Sequence, residues 1–242
     1  MRNFIDRNIS NLTFNFLVIK NLAYFIVFIL IGGTFIFAQD KISYDIDASI
    51  VDSEKKIKIR QKMVFKKPSP KSGDTLYLTD WSNAYSSTKT PLAQRFVEEY
   101  NRSFYLSNKL KLGKTSINMI IINGSEAKWE RLKNQPDIIK VIYDSKNNTN
   151  HSLTLALDYQ VAIPDAKFTG YGYNAKGDIL LRNWYIALSP IYDSHWKNYS
   201  HLNLDDFSIQ AAEYSLKLSV PEGTTVQTNL QKNKVEDGVH YF

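Results

Sequence analysis

Apolar residues fall on every second position along most of this chain. Ile42, Tyr44, Ile46, Ala48 and Ile50 alternate with Ser43, Asp45, Asp47 and Ser49. Beyond Asp52-Ser-Glu-Lys55 the same period continues through Ile57, Ile59, Met63 and Phe65. A period of two puts one set of side chains on one face of a strand, so these stretches predict a hairpin with a single buried face. Leu153, Leu155, Leu157, Tyr159, Val161 and Ile163 give the longest alternation, and Tyr214, Leu216, Leu218 and Val220 another. Leu76-Tyr-Leu, Ile117–Ile122 and Asp137–Tyr143 add shorter strands, and Asn123-Gly124 is a strong hairpin-turn pair. One apolar face per strand is what two packed antiparallel sheets require, so the fold class is mostly β, an antiparallel β-sandwich.

One segment departs from that period. Thr90-Pro91 reads as an N-cap followed by proline at the first helical position. Leu92, Phe96, Val97, Tyr100 and Phe104 then fall on one helical face, opposite Arg95, Glu98, Glu99 and Arg102. This predicts one inserted amphipathic helix, over about 90–105. No repeat or linker interrupts the rest, so residues 40–242 form one domain. Its last residues, Gly238 to Phe242, are apolar and strand-like where domain ends are usually polar. The expectation is a domain truncated at its C-terminal end.

Between Leu180 and Leu230 two strand-like segments flank a long loop holding Tyr185, Tyr192, Trp196 and Tyr199. Long loops are usually functional or disordered, and disordered ones are poor in aromatics. This loop is therefore expected to pack into something.

The N-terminus is of another kind. Leu22–Ala38 carries no charge, follows Arg2, Arg7 and Lys20, and ends at a small residue. That predicts a signal peptide over 1–38, or a signal anchor if uncleaved, and an exported protein: periplasmic, in the cell envelope or secreted. Membrane contact is expected only through Leu22–Ala38. The formal charge of +6 falls to +4 without residues 1–38. Lys55–Lys62 alternates its cations with Ile57 and Ile59 as a solvated strand face does, so no nucleic-acid partner is expected. There is no cysteine, hence no disulfide framework and no thiolate metal site.

Residues for chemistry are scattered. The histidines are His151, His195, His201 and His240, and none lies in a His-Glu-x-x-His pattern. His195 and His201 with Asp205 and Asp206 share one loop and can be drawn as a zinc site, but the plainer reading is hydrogen-bonding loop residues. Asp205, Asp206 and Glu213 can be drawn as a glycosidase pair, and equally as a capped turn before a strand. Lys111–Ser116 lacks the first glycine of a phosphate loop and reads as a turn. Trp129, Tyr171, Tyr173 and Trp184 read as packing residues.

Three stretches together resemble one family. Tyr44-Asp-Ile-Asp-Ala through Phe65 resembles the opening hairpin of aminopeptidase N-type zinc metallopeptidases, the gluzincins. Asp74-Thr-Leu-Tyr-Leu-Thr-Asp-Trp-Ser-Asn-Ala-Tyr85, running into Thr90-Pro91, is similar to a bacterial branch of it. So are Asn183-Trp-Tyr185, Pro190, Trp196, Asp205-Asp206 and Tyr214-Ser-Leu-Lys-Leu-Ser-Val-Pro221. The resemblance covers Ile42 to Leu230. It implies the family's N-terminal domain, a saddle-like β-sandwich that packs on a thermolysin-like catalytic domain and walls its cleft. The family's His-Glu-x-x-His and Gly-x-Met-x-Asn motifs are absent, so the resemblance implies no catalytic and no metal-binding residue here. Zinc is expected only in a catalytic domain outside this chain, which is the implied partner. A peptide substrate would be met only through that domain. Trp184, Tyr185, Pro190, Tyr192 and Trp196 are the candidate interdomain packing residues. The alternative is a stand-alone cell-envelope binding module using the aromatic loop 184–199.

Overall fold

The computed structural model describes residues 41–68, 74–143, 151–204 and 210–242. The predicted export segment Leu22–Ala38 lies outside the described residues, as do Asp205 and Asp206. In chain order the first strands are β1 (Ile42–Val51), β2 (Lys56–Lys66), β3 (Thr75–Thr79), β4 (Lys114–Ile122), β5 (Ser125–Glu126), β6 (Lys128–Leu132), β7 (Gln135–Ile142) and β8 (Ser152–Ala162). They are followed by β9 (Gly172–Tyr173), β10 (Ile179–Leu180), β11 (Ala187–Leu188), β12 (Ile191–Tyr192), β13 (His195–Trp196), β14 (Ala212–Ser219), β15 (Lys234–Glu236) and β16 (Val239–Tyr241). The helix α1 (Pro91–Glu98) sits between β3 and β4.

Alternation along the sequence becomes two stacked sheets. The larger runs β15-β16-β14-β1-β2-β8-β4-β5 and the smaller β11-β3-β7-β6. The predicted hairpin pairs Tyr44 with Met63 and Ala48 with Ile59, and its turn closes at Lys55 with φ 51°. The Asn123-Gly124 turn has positive φ at both residues, which puts Ile122 opposite Ser125 as a tight hairpin requires. β14 lies parallel to β1, Ile42 opposite Ala212, whereas the other pairings of the large sheet are antiparallel. Tyr44, Ile46, Ile57, Ile59, Met63 and Tyr159 from the large sheet meet Leu76, Leu78, Ile139 and Val141 from the small one in a single core. A second core holds Tyr85, Leu92, Phe96, Phe104, Phe168 and Tyr171 and seats α1.

The helix is shorter than the sequence pattern suggests. Thr90 caps it, its hydroxyl accepting from Ala93 N–H, with Pro91 at the first turn. It stops at Glu98 because Tyr100 takes φ 58° and two C-terminal hydrogen bonds close there. Asn101 N–H donates to Phe96 O at 2.7 Å and Tyr100 N–H to Val97 O at 3.0 Å, the Schellman arrangement. Leu92, Phe96 and Phe104 face inward as expected, but Val97 and Tyr100 point to solvent. Tyr100 carries the steric cost of a Cβ in the left-handed region. Tyr100→Gly should therefore raise stability by about 0.5–1 kcal/mol, read from the urea midpoint. An unchanged or lowered midpoint would refute that account.

Candidate functional site

The aromatic loop that stood out in the sequence enters the interior of its own chain. Tyr185 lies edge-on to Tyr44 and Tyr214, and its hydroxyl bonds the Tyr214 hydroxyl at 2.8 Å. Tyr44 and Tyr214, neighbours across the parallel β1–β14 pair, stack face to face at 5.1 Å. Gln61 sits buried in β2, where its amide donates to Ile186 O and its oxygen accepts from Tyr159. Ile186 N–H returns to the Tyr159 hydroxyl, and Leu188 N–H donates to the Tyr44 hydroxyl. Thr79 and Ser189 pair their hydroxyls at 3.0 Å. A segment that pairs only two residues with β3 thus satisfies its remaining backbone groups with buried side chains. Burial raises the hydroxyl pKa of Tyr44, Tyr159 and Tyr185 far above the usual value, so all three stay protonated.

Of the candidate packing residues, Trp184 and Tyr185 pack partly buried against the core, and Pro190 is buried. Trp196 packs on Tyr77, 5.8 Å between ring centroids. Tyr192 points outward, as does Tyr199 beyond the β12–β13 hairpin. The Trp196 indole N–H and the Asn198 side-chain oxygen are buried without a hydrogen-bond partner.

Beside this loop lies a polar cluster that sequence reasoning missed. Asp80, at the end of β3, accepts from Arg131 Nη2 at 2.8 Å and from the Thr115 hydroxyl at 2.7 Å. Arg131 also donates to Pro136 O, and Asn83 bridges Thr115 N–H and Pro136 O. Asp137, fully buried in β7, accepts from the Ser200 hydroxyl at 2.9 Å and from His201 N–H at 2.7 Å. Burial pushes both carboxyls up, opposed at Asp80 by Arg131 and at Asp137 by its hydrogen bonds. His201 is buried, stacked on Trp81 at 4.4 Å, with Tyr85 Oη 3.1 Å from its Nε2. Burial lowers its pKa to about 4, with Arg182 contributing. The signal in the sequence was slight: two aspartates beside apolar strand residues, Thr79-Asp80-Trp81 and Pro136-Asp137-Ile138.

These groups brace the chain rather than form a reaction centre. Ser200 faces a carboxylate and the His201 ring is turned to Tyr85, so the Ser200 hydroxyl and the His201 imidazole are not paired as nucleophile and base. Among the described residues no three His, Asp or Glu side chains gather as metal ligands. His195 is exposed with Nδ1 on Asp193 O, and Glu213 is an exposed partner of Lys41. Asp205 and Asp206, the carboxylates drawn with these histidines, lie outside the described residues. Lys109–Lys111 is a short 3₁₀ turn leading into β4.

No protein-family description matches the sequence, and no curated protein matches it. Solved structures do resemble the fold. Yeast LTA4 hydrolase in complex with bestatin matches with a TM-score of 0.44 and 14% identity, over 84% of this chain and 26% of that one. Native yeast LTA4 hydrolase matches with 0.43 and 14% over the same shares. Aminopeptidase A of Legionella pneumophila in complex with aspartic acid matches with 0.36 and 11%, over 84% of this chain and 19% of that one. This chain spans about a quarter or less of the length of these proteins.

Proposed function

We propose that this chain is the non-catalytic N-terminal β domain of an exported aminopeptidase-like zinc metallopeptidase, and that it packs on, and walls the cleft of, a catalytic domain carried elsewhere. The supporting observation is the half-finished aromatic loop. Its base is fixed to the core through Tyr44, Gln61 and Tyr159, while Tyr192 and Tyr199 project from its tip. In the same loop Trp196 and Asn198 keep one polar atom each without a partner, which costs roughly 1–3 kcal/mol apiece when nothing answers it. A covering surface would bury the two tyrosines and give those atoms partners after a small shift.

A second support is that the three stretches resembling the gluzincins meet here. Tyr44 comes from the first, Ser82 from the second, and Trp184, Tyr185 and Tyr214 from the third. In this reading these side chains are scaffolding, and zinc and peptide belong to the other domain. The test is to isolate the native polypeptide from its own cells with an antibody to this domain. Its full length, zinc content and hydrolysis of aminoacyl p-nitroanilides would then be measured. We expect a longer chain with His-Glu-x-x-His, bound zinc and chelator-sensitive activity. A native polypeptide without that motif and without hydrolysis would overturn the proposal.

A further inference from the structure

We propose that the connection from the end of α1 to the start of β4, with the β9–β10 hairpin beside it, is a docking surface for an anionic lipid bilayer. Val97 on the last turn of α1 and Tyr100, Tyr105, Leu106 and Leu110 in the connection all project, Tyr100 91% and Leu110 90% exposed. Runs of exposed large apolar side chains mark interaction surfaces. The projections are held rather than frayed. Phe104 is buried between Phe96 and Phe168, and the Asn108 side chain accepts from Leu110 N–H at 3.0 Å.

Around these tips the carboxylates are held, by Arg95, by two lysines or, for Asp178, by the Asn174 amide, and further cations are left over. Glu98 and Glu99 are both engaged by Arg95, at 3.5 and 3.0 Å. Arg102, Lys109 and Lys114 in the same segment are exposed and have no acidic partner among the described residues. Leu110 also shares the rim of a groove of about 940 Å³ with the exposed Leu180, and Lys55, Lys111 and Lys167 line that groove. Asp165 is shared between two of those lysines.

The alternation of cations with apolar tips selects a lipid partner. Centres of protein–protein interfaces are depleted in lysine, whereas Lys109-Leu110-Lys111 puts lysines on both sides of the most exposed leucine. Leucine and tyrosine at the headgroup boundary, with lysines reaching phosphates, is the pattern of a surface-bound segment. Docking here is lateral contact: no helix of the described residues is long and apolar enough to cross a membrane. The surface lies beside Lys55 in the β1–β2 turn, at the far end of β1 from Ile42.

The test uses Lys41–Phe242, which forms a compact unit with its own core. Flotation with phosphatidylcholine vesicles, with and without phosphatidylglycerol, reads the partition. Binding should require phosphatidylglycerol and weaken with salt. Leu106→Ser/Leu110→Ser and Lys109→Glu/Lys111→Glu should each lower partition about tenfold or more, with thermal midpoints unchanged. Lys232→Glu, in the segment before β15, should leave it unchanged. Absence of partition, equal partition on neutral vesicles, or an equal loss with Lys232→Glu would each overturn the proposal. So would concentration-dependent self-association abolished by the leucine pair, which would make this a protein interface.

Discussion

Asp80→Ala should lower unfolding stability by about 3–5 kcal/mol, the largest loss expected from one polar side chain here. Asp80 is almost fully buried and joins three elements: β3, which it directly follows, β4 through Thr115 and β6 through Arg131. Removing the carboxylate leaves the Arg131 guanidinium facing the Thr115 and Pro136 carbonyls with no counter-charge. The cost is that of a charge left uncompensated, so Asp80→Ala/Arg131→Met should recover part of the loss. Asp80→Asn, which keeps an acceptor for Thr115, should cost less than alanine. Denaturant unfolding of the four proteins measures this. Domains of this kind carry only about 5–15 kcal/mol in all, so the alanine variant should unfold well below the parent midpoint. A loss under about 1 kcal/mol would show that the cluster is dispensable.

His201 should make the fold acid-sensitive between about pH 6.5 and 4. Asn203 N–H donates to His201 Nδ1 at 3.3 Å, and a backbone N–H can only donate. The ring proton therefore sits on Nε2 and is given to Tyr85 Oη, whose own hydrogen goes to Thr169 Oγ1 at 2.6 Å. A second proton on Nδ1 would face the Asn203 donor inside a buried site. The native pKa is accordingly lowered from 6.5 to about 4, chiefly by burial and further by Arg182. The unfolded chain takes up its proton near pH 6.5 and the native chain does not, so this contribution is complete above 6.5 and lost as pH falls through 4. Its full size is about 3 kcal/mol. Asp80 and Asp137, raised by burial, act with opposite sign, because the native state holds their protons longer as pH rises. The comparison is therefore between parent and His201→Gln, in which those terms cancel. The stability gap between the two should shrink steadily from pH 7 to 4. Parallel curves would mean that His201 takes up its proton over the same pH range in the native state as in the unfolded chain.

Much of the sheet framework was legible because strand periodicity is local. The β1–β2 hairpin, the Asn123-Gly124 turn and β8 need only their own residues, and each appears where the alternation put it. The helix end was not legible. It depends on Tyr100 entering the left-handed region, where glycine is the usual occupant, and that moved Val97 and Tyr100 from a supposed inner face to solvent. The aromatic loop was recognised as needing something to pack on, but its first partner is this chain's own core, through Gln61 and Tyr159. A buried glutamine in an alternating strand carries no sign of which distant backbone it will bind. Asp80 and Asp137 were equally silent, since Arg131 and His201 are 51 and 64 residues away.

The parallel pairing of β1 with β14 sets an order on how the chain can assemble. β2 can join β1 as soon as the hairpin has left the ribosome, but the other side of β1 waits for residues about 170 positions later. Contacts that distant form slowly, because the intervening chain must be closed into a loop before any of them stabilises it. Until then Ile42 to Ser49 offers an open strand edge to neighbouring nascent chains. Aggregation during synthesis should therefore depend on how fast β14 arrives, and a chain interrupted before Ala212 should need a chaperone at that edge.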